Sequence, residues 1–262
     1  MITKERYGPW AVIVGGSEGI GEHLARKLGA VGINLVLVAR KPEPLAETAQ
    51  KVRAVSRVEV RTLQLDIARD DMLERIRETT NGLDVGMLVH NVGGGASFGP
   101  FVETTLSAAM TPVLTNCVAL TKLVHEFGKP MAQRGRGGIL IIGSIAGNAG
   151  SYFIAGYSAA KAFNQIFAEA LWAELQPRGV HVLVCPIGAA DTPSRRRSGT
   201  VDADEMQVAK PEDVAQQVLD QLSNGPVYVL PQNIEYFKSL YAMPRREAAE
   251  LQRDLLRRMI PT

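Results

Sequence analysis

Seven short runs rich in Val, Ile and Leu recur along this chain of 262 residues, at 10–14, 34–39, 58–65, 85–90, 138–143, 180–185 and 227–230. Between them lie segments of helical length and spacing, at 19–31, 42–54, 68–79, 103–128, 151–176 and 211–224. Nearly all the runs are continuously apolar, and 58–65 alone alternates clearly. A strand apolar on both sides must be covered on both faces, as happens in parallel sheets held between helices. Alternation of strand and helix from end to end requires crossovers, which are right-handed, and so predicts a doubly wound three-layer α/β sandwich with a seven-stranded parallel sheet. One domain over 1–262 is the expectation. Two stretches resist the pattern: 188–210, containing "TPSRRRSGTVDADE", is expected to form a lid beside the site, and the charged tail 232–262 a surface helix.

Composition narrows the partners. Lys and Arg total 29 against 27 Asp and Glu, a net charge of +2, so no global field favours nucleic acid or an anionic membrane. The opening "MITKERYGPW" carries charges where a secretory signal needs its apolar core, and runs such as "NLVLVA" are too short to span a bilayer. A cytoplasmic protein is expected. Cys117 and Cys185 are far apart, lack metal-ligand spacing and sit among apolar neighbours, which predicts free thiols in a reducing compartment. His90 is a lone histidine at a strand end with no ligand cluster beside it, and is read as neither catalytic nor metal-binding.

The first run leads directly into "GGSEGIGEHLARKL", with Gly15, Gly19 and Gly21 between strand and helix. Glycines let a backbone turn sharply and approach a pyrophosphate, and the free N–H groups of the following helix favour the anion. A flexible turn would explain an isolated triplet; agreement of strand, loop and helix points to a nucleotide site. Farther on, "GYSAAKAFN" sets Tyr157 and Lys161 four residues apart, on one helical face. Ser144, in "IIGSIAG", precedes Tyr157 by thirteen residues.

The spacing Gly-x-x-x-Gly-x-Gly together with "YSAAK" resembles the short-chain dehydrogenase/reductase family, from Trp10 to about Leu230, with the motifs in the family's order. The resemblance implies a Rossmann fold and hydride transfer between NAD(P)(H) and a carbonyl or alcohol. It assigns Ser144 to the substrate oxygen and Tyr157 to proton transfer. Lys161 would serve both the phenol and the nicotinamide ribose, and Asn116, in "VLTNCVAL", a water relay reaching the lysine. Asn116 could equally be a satisfied structural residue. Hydride transfer to a carbonyl leaves an alkoxide that needs a proton donor, and the reverse needs a base. Tyrosine titrates near 10, so stabilising its phenolate at neutral pH takes roughly 4 kcal/mol, which a nearby ammonium favours.

By the same resemblance Ser17, Ile20 and the three loop glycines hold cofactor phosphates, with Val14 where the family has Thr. Asp66 and Ile67 line the adenine site, unless Asp66 is an ordinary strand-end residue. "HNVG" resembles Asn-Asn-Ala-Gly: Asn91 and Gly93 match, while His90 and Val92 depart. In "CPIGAADT", aligning Gly188 with the motif glycine puts Ile187 in place of proline, Ala190 at the nicotinamide carboxamide and Thr192 at the motif threonine. Aligning Pro186 instead leaves Asp191 there; Thr is preferred because it can donate to cofactor oxygens.

Ala39 is followed by Arg40 and Lys41, with no carboxylate to receive ribose hydroxyls. A guanidinium can pair with a 2′-phosphate, which predicts NADP(H), although Arg40 could merely begin a solvated loop and Glu18 is acidic where NADP(H) relatives are often basic. Phe98, Tyr152, Phe153 and Ile154 suggest a small, largely apolar carbonyl or alcohol, or serve as packing. Arg195, Arg196 and Arg197 could grip a carboxylate or phosphate, or form a solvated lid face. Helix 151–176 is apolar on more than one face, so a homodimer or homotetramer is expected. The competing readings are a catalytically silent NADP(H)-binding regulator, which the intact residue set disfavours, and an epimerase or dehydratase with a retained nucleotide.

Overall fold

The computed structural model describes residues 1–93, 98–199 and 207–259. Six parallel strands form one sheet: β1 Trp10–Val14, β2 Asn34–Ala39, β3 Val60–Gln64, β4 Val85–His90, β5 Gly137–Ser144 and β6 Val180–Ile187. Their order is β3-β2-β1-β4-β5-β6, and it reverses between β1 and β4. Doubly wound sheets take their ligands at such a reversal, outside the carboxyl ends of the strands. The helices are α1 Lys4–Tyr7, α2 Ile20–Ala30, α3 Pro42–Val55, α4 Met72–Thr80, α5 Leu106–Val113, α6 Ala119–Arg134, α7 Ala155–Leu175, α8 Pro193–Arg197, α9 Pro211–Asp220, α10 Ile234–Ala242 and α11 Arg245–Met259.

Alternate residues of each central strand feed opposite layers. Ile13, Leu35, Leu37, Val89 and Leu183 join Leu24, Leu28, Val52 and Val218 on one side of the sheet. Val12, Val36, Val38, Leu88 and Ile141 join Ile76, Leu120, Leu123, Phe127 and Ala168 on the other. Two covered faces explain the continuous apolar runs, and β3, at the edge, explains the one that alternates. Each fully buried Leu or Ile contributes on the order of 2 kcal/mol, so the core dominates stability.

The seventh strand expected at 227–230 does not form. Only one isolated bridge, Val184 to Val227, connects it to the sheet. Pro226 has no N–H to donate and Pro231 opens a 3₁₀ turn, so Val184 N–H to Pro226 O at 2.8 Å and Tyr228 N–H to Val184 O at 3.0 Å are the bonds left to the segment. α4 begins later than expected because Asp66 organises a turn, its Oδ1 accepting Ala68 N–H at 3.0 Å.

The crossover helix is longer than expected. α5, a π-helical turn over Leu114–Val118 and α6 make a continuous 29-residue stretch, Leu106–Arg134, long and apolar enough by length and composition to cross a membrane. Its Leu120, Leu123, Phe127 and Met131 are buried against the sheet, as in a core helix. The tail is likewise more than a surface helix. Leu240 of α10 and Ala248 of α11 are fully buried against Ile145 and Ala149, in the segment that follows Ser144. Cys117 and Cys185 are free thiols.

Candidate active site

The glycine loop is built by close backbone contact. Gly15 has φ +83°, and a Cβ there would stand 2.1 Å from Asn91 O; one at Gly21 would stand 2.0 Å from Gly15 O. Any side chain would therefore drive α2 away from the end of β1. Asn91 braces the turn, its Nδ2 donating to Gly15 O and its backbone N–H to Val14 O, both at 2.8 Å. Ser17 O accepts the Thr48 hydroxyl at 2.9 Å, and Ile20 packs into the core. The amides of Ile20, Gly21 and Glu22 precede the first intrahelical bond, His23 N–H to Gly19 O, which suits them to a phosphate. Gly93 is exposed at the end of the segment that leaves β4.

At the end of β2, Arg40 presents a side chain that is 61% exposed, 3.9 Å from the Asp66 carboxylate. Ile67 is buried beside Asp66. Glu18 forms an ion pair with Arg197 of α8, so the acidic residue of the loop has its charge met by the segment expected to be the lid. Thr192 stands over the loop: a Cβ at Gly19 would lie 2.9 Å from its methyl group. The Thr192 hydroxyl caps α8 by accepting Arg195 N–H at 3.2 Å. Asp191 instead binds the Arg196 guanidinium through both oxygens, at 2.8 and 2.7 Å. Of the two residues between which the sequence motif is ambiguous, Thr192 is the one against the glycines. Ala190 is buried in a bridge to Ala209, and Gly188 N–H donates to Asn233 Oδ1 at 3.4 Å. Residues 200–206 of the expected lid lie outside the described residues.

Ser144 closes β5, and Tyr157 and Lys161 stand one turn apart on α7. Ser144 Oγ accepts Ala146 N–H at 3.2 Å and lies within hydrogen-bonding reach of the Tyr157 phenol. Lys161 is 2% exposed. Its Nζ donates to Val92 O at 2.8 Å and Ile142 O at 3.0 Å, and sits 5.6 Å from the centroid of the Tyr157 ring. Burial lowers the Lys161 ammonium to about 7. Burial also raises the Tyr157 phenol, with the Ser144 hydrogen bond opposing it. The protein's own groups thus hold the phenol above its ordinary value, whereas the pairing with lysine led us to expect a lowering. Removal of the phenol from water outweighs the Ser144 hydrogen bond that favours its ionised form.

Asn116 is buried in the π turn. Its Nδ2 donates to Pro112 O at 3.3 Å and Thr115 Oγ1 at 3.0 Å, and its backbone carbonyl accepts Asn164 Nδ2 at 2.7 Å. Asn164 escaped the sequence reading although it belongs to "GYSAAKAFN" and follows Tyr157 by seven residues and Lys161 by three. That spacing puts it on the same face of the helix. Gly147 also went unnoticed: a Cβ there would stand 2.6 Å from the Lys161 carbonyl carbon, so the turn after Ser144 presses directly on the lysine backbone.

A small cleft of about 30 Å³ reaches Tyr157 between Phe101, Ala109, Pro112, Phe153 and Ile154. Phe153 holds φ +62°, an unusual conformation for a non-glycine residue, and stacks on Tyr152 with centroids 3.8 Å apart. Phe98 is half-buried, and 94–97 of the same loop lie outside the described residues. The roomier cavity, about 500 Å³, opens beside Ser158, Ala159, Ala162, Arg245 and Arg253, and neither Tyr157 nor Lys161 lines it. Tyr157 thus lies beside the smaller of these two spaces.

A family model described as short chain dehydrogenase matches residues 9–203. Over 179 residues, 67% of the chain, it is 38% identical to a very-long-chain 3-oxoacyl-CoA reductase of Neurospora crassa, of which it spans 54%. It thus covers about half the length of that relative. It is 29% identical over 249 residues to the 7beta-hydroxysteroid dehydrogenase of Clostridium sardiniense, covering 94% of this chain and 95% of the relative. Among solved structures, a short-chain dehydrogenase from Sphingobium yanoikuyae in complex with NADPH superposes with a TM-score of 0.79 at 30% identity, over 89% of this chain and 92% of that one.

Proposed function

The chain belongs to the short-chain dehydrogenase family, and from that premise we propose that it is an oxidoreductase acting on the carbonyl or alcohol group of a small, largely apolar molecule, with NADP(H) as partner. The observation that carries the reading is the convergence of Ser144, Tyr157 and the buried Lys161 beside the glycine loop, at the carboxyl ends of β4 and β5. The donor set suits a dinucleotide: the first-turn amides of α2 for phosphate, the exposed Arg40 for a 2′-phosphate, and Lys161 for ribose hydroxyls. NADPH, when bound, supplies the hydride.

The residues of this chain manage the oxygen and its proton. Ser144 orients and polarises the substrate oxygen by donating to it. Tyr157, kept protonated by burial, gives its proton to the alkoxide as it forms, or accepts one in the reverse direction. Lys161 holds positive charge next to the phenol and lowers the cost of the phenolate left behind. Asn116, with its Oδ1 buried and without a partner among the described residues, offers an acceptor for water that returns a proton to the lysine. Glu18 does not oppose a phosphorylated cofactor in the usual way, because Arg197 meets its charge. The apolar walls near Tyr157, Phe101, Phe153 and Ile154, favour an uncharged substrate.

A second copy of the chain completes the reading. Leu106 at 77% exposed and Ile166 at 64% leave an apolar face on α5 and α7, together with Met110 and Val118, that a homodimer or homotetramer would cover.

The test is NADPH consumption across ketones, aldehydes, hydroxysteroid precursors and acyl thioesters, run beside Tyr157→Phe. We expect NADPH binding to survive that change while turnover falls about 10²- to 10⁴-fold. Full activity in Tyr157→Phe would overturn the mechanism, and no turnover by the wild type on any class would favour a binding protein.

A further inference from the structure

The residue that closes β4, where the family's motif carries asparagine, is the fully buried His90. Its Nε2 lies 3.1 Å from the backbone carbonyl of Thr115. A carbonyl can only accept, so Nε2 carries the proton and Nδ1 is bare, and Nδ1 is buried without a partner among the described residues. Desolvation, reinforced by the neighbouring Lys161 ammonium, holds the imidazole at about 3, so it stays neutral at working pH.

Thr115 belongs to the π turn Leu114–Val118, a departure from regular helix that recurs at functional sites. That turn is pinned from two sides: by His90 through the Thr115 carbonyl, and by Asn164 of α7 through the Asn116 carbonyl at 2.7 Å. Asn116 Oδ1 and Asn164 Oδ1 are also buried and without a partner among the described residues. Three orphan acceptors on residues joined through one π turn are the mark of a buried water site, since buried polar groups almost always find a partner.

We propose that His90 is a positioning residue of the proton-transfer site: its Nε2–H holds the π turn that carries Asn116, and its bare Nδ1, with Asn116 Oδ1 and Asn164 Oδ1, accepts from buried water on the interior side of Lys161. This deepens, and rests on, the oxidoreductase reading above. The imidazole takes no proton in the cycle; it fixes the acceptors between which water passes one. An apolar residue at position 90 would leave the Thr115 carbonyl unpaired, and a cation would face the Lys161 ammonium.

The experiment compares wild type, His90→Leu and His90→Gln, the last of which carries an amide donor near the position of Nε2. Loss of one buried bond is expected to speed amide hydrogen exchange across 114–118 about tenfold in His90→Leu and to lower kcat about tenfold, with Kd for NADPH changed less than about twofold. His90→Gln is expected to restore both to within about threefold. Nitrogen-15 histidine spectra of the wild type should show His90 as the neutral Nε2–H form from about pH 8 down to about pH 5. The proposal is overturned if His90→Leu exchanges like wild type, if kcat and NADPH binding fall together, or if His90→Gln is no better than His90→Leu. An Nδ1–H tautomer in the wild type overturns it as well, and that reading stands even where His90→Leu does not fold. Exchange and tautomer need no substrate, so their failure is distinct from failure of the oxidoreductase reading, which would show as absent wild-type turnover.

Discussion

Lys161 makes the stability of the chain depend on pH in a way that can be calculated. Its ammonium is 2% exposed, is met by two carbonyl oxygens, and titrates at about 7 against an ordinary 10.5. Between those values the unfolded chain binds more protons than the folded one, so stability rises with pH through the window and is lost as pH falls toward 7. At 1.36 kcal/mol per unit, with the native group half protonated at neutrality, the penalty is about 4 kcal/mol at pH 7 and about 1 kcal/mol at pH 10. Lys161→Met keeps the length of the side chain and removes the charge. Val92 O and Ile142 O then lose their donor, a cost that does not depend on pH. Urea unfolding of both proteins, followed by the fluorescence of Trp10 and Trp172, should show the wild type gaining about 3 kcal/mol on the variant between pH 7 and pH 10. Groups that do not sense the lysine, such as the Cys185 thiol that burial pushes up to about 12, cancel in the difference. A difference that stays constant to within about 1 kcal/mol would refute the argument that a desolvated ammonium is stored beneath Tyr157.

Arg40→Asp should weaken NADPH about 10- to 100-fold and favour NADH, read by nicotinamide fluorescence titration; an unchanged preference would remove the basis for NADP(H). Arg197→Glu puts two carboxylates together at the glycine loop and should lower NADPH affinity severalfold at low salt, with the effect shrinking as ionic strength rises. An effect independent of salt would mean that the pair acts by shape and not by charge. Ile166→Asp places a charge on the exposed apolar face of α7 and should convert an oligomer to monomer in sedimentation equilibrium; a monomeric wild type would end that proposal.

What could be read from the chain followed from local spacing. β1, β2 and β4 begin and end where their apolar runs do, because a strand covered on both faces cannot change side without showing a polar residue. The run at 227–230 has the same composition and fails, because the prolines flanking it leave one bridge's worth of backbone groups to pair. The tail misled for a different reason. Ala248, Gln252 and Leu256 recur every four residues and are buried, but a stripe of Ala, Gln and Leu among arginines has too little apolar area to declare what it covers. Its target, the segment carrying Ala149 and Ser151, is met partly through hydrogen bonds: Ser151 Oγ donates to Gln252 Oε1 at 3.3 Å, and Arg245 donates to Asn148 O at 2.9 Å. Side-chain partners about a hundred residues apart leave no period for a sequence reading to detect.

The same divide runs through the candidate site. Tyr157, Lys161 and the glycines are separated by fixed numbers of residues on one helix or loop, so their arrangement is encoded locally. The state of the pair is not, because burial decides it. Desolvation pushes the phenol up and the ammonium down, each toward its neutral form, although a charge pair in water would be pushed the other way. A phenol that keeps its proton at neutral pH is a donor already in place for an alkoxide. A lysine poised at about 7 can regain a proton from water without strong driving force in either direction. Under the proposed mechanism, the polar groups that hold the π turn, His90 and Asn164 among them, would set how readily the proton lost by Tyr157 is replaced. They come from β4 and α7, and only the folded sheet brings them to one π turn.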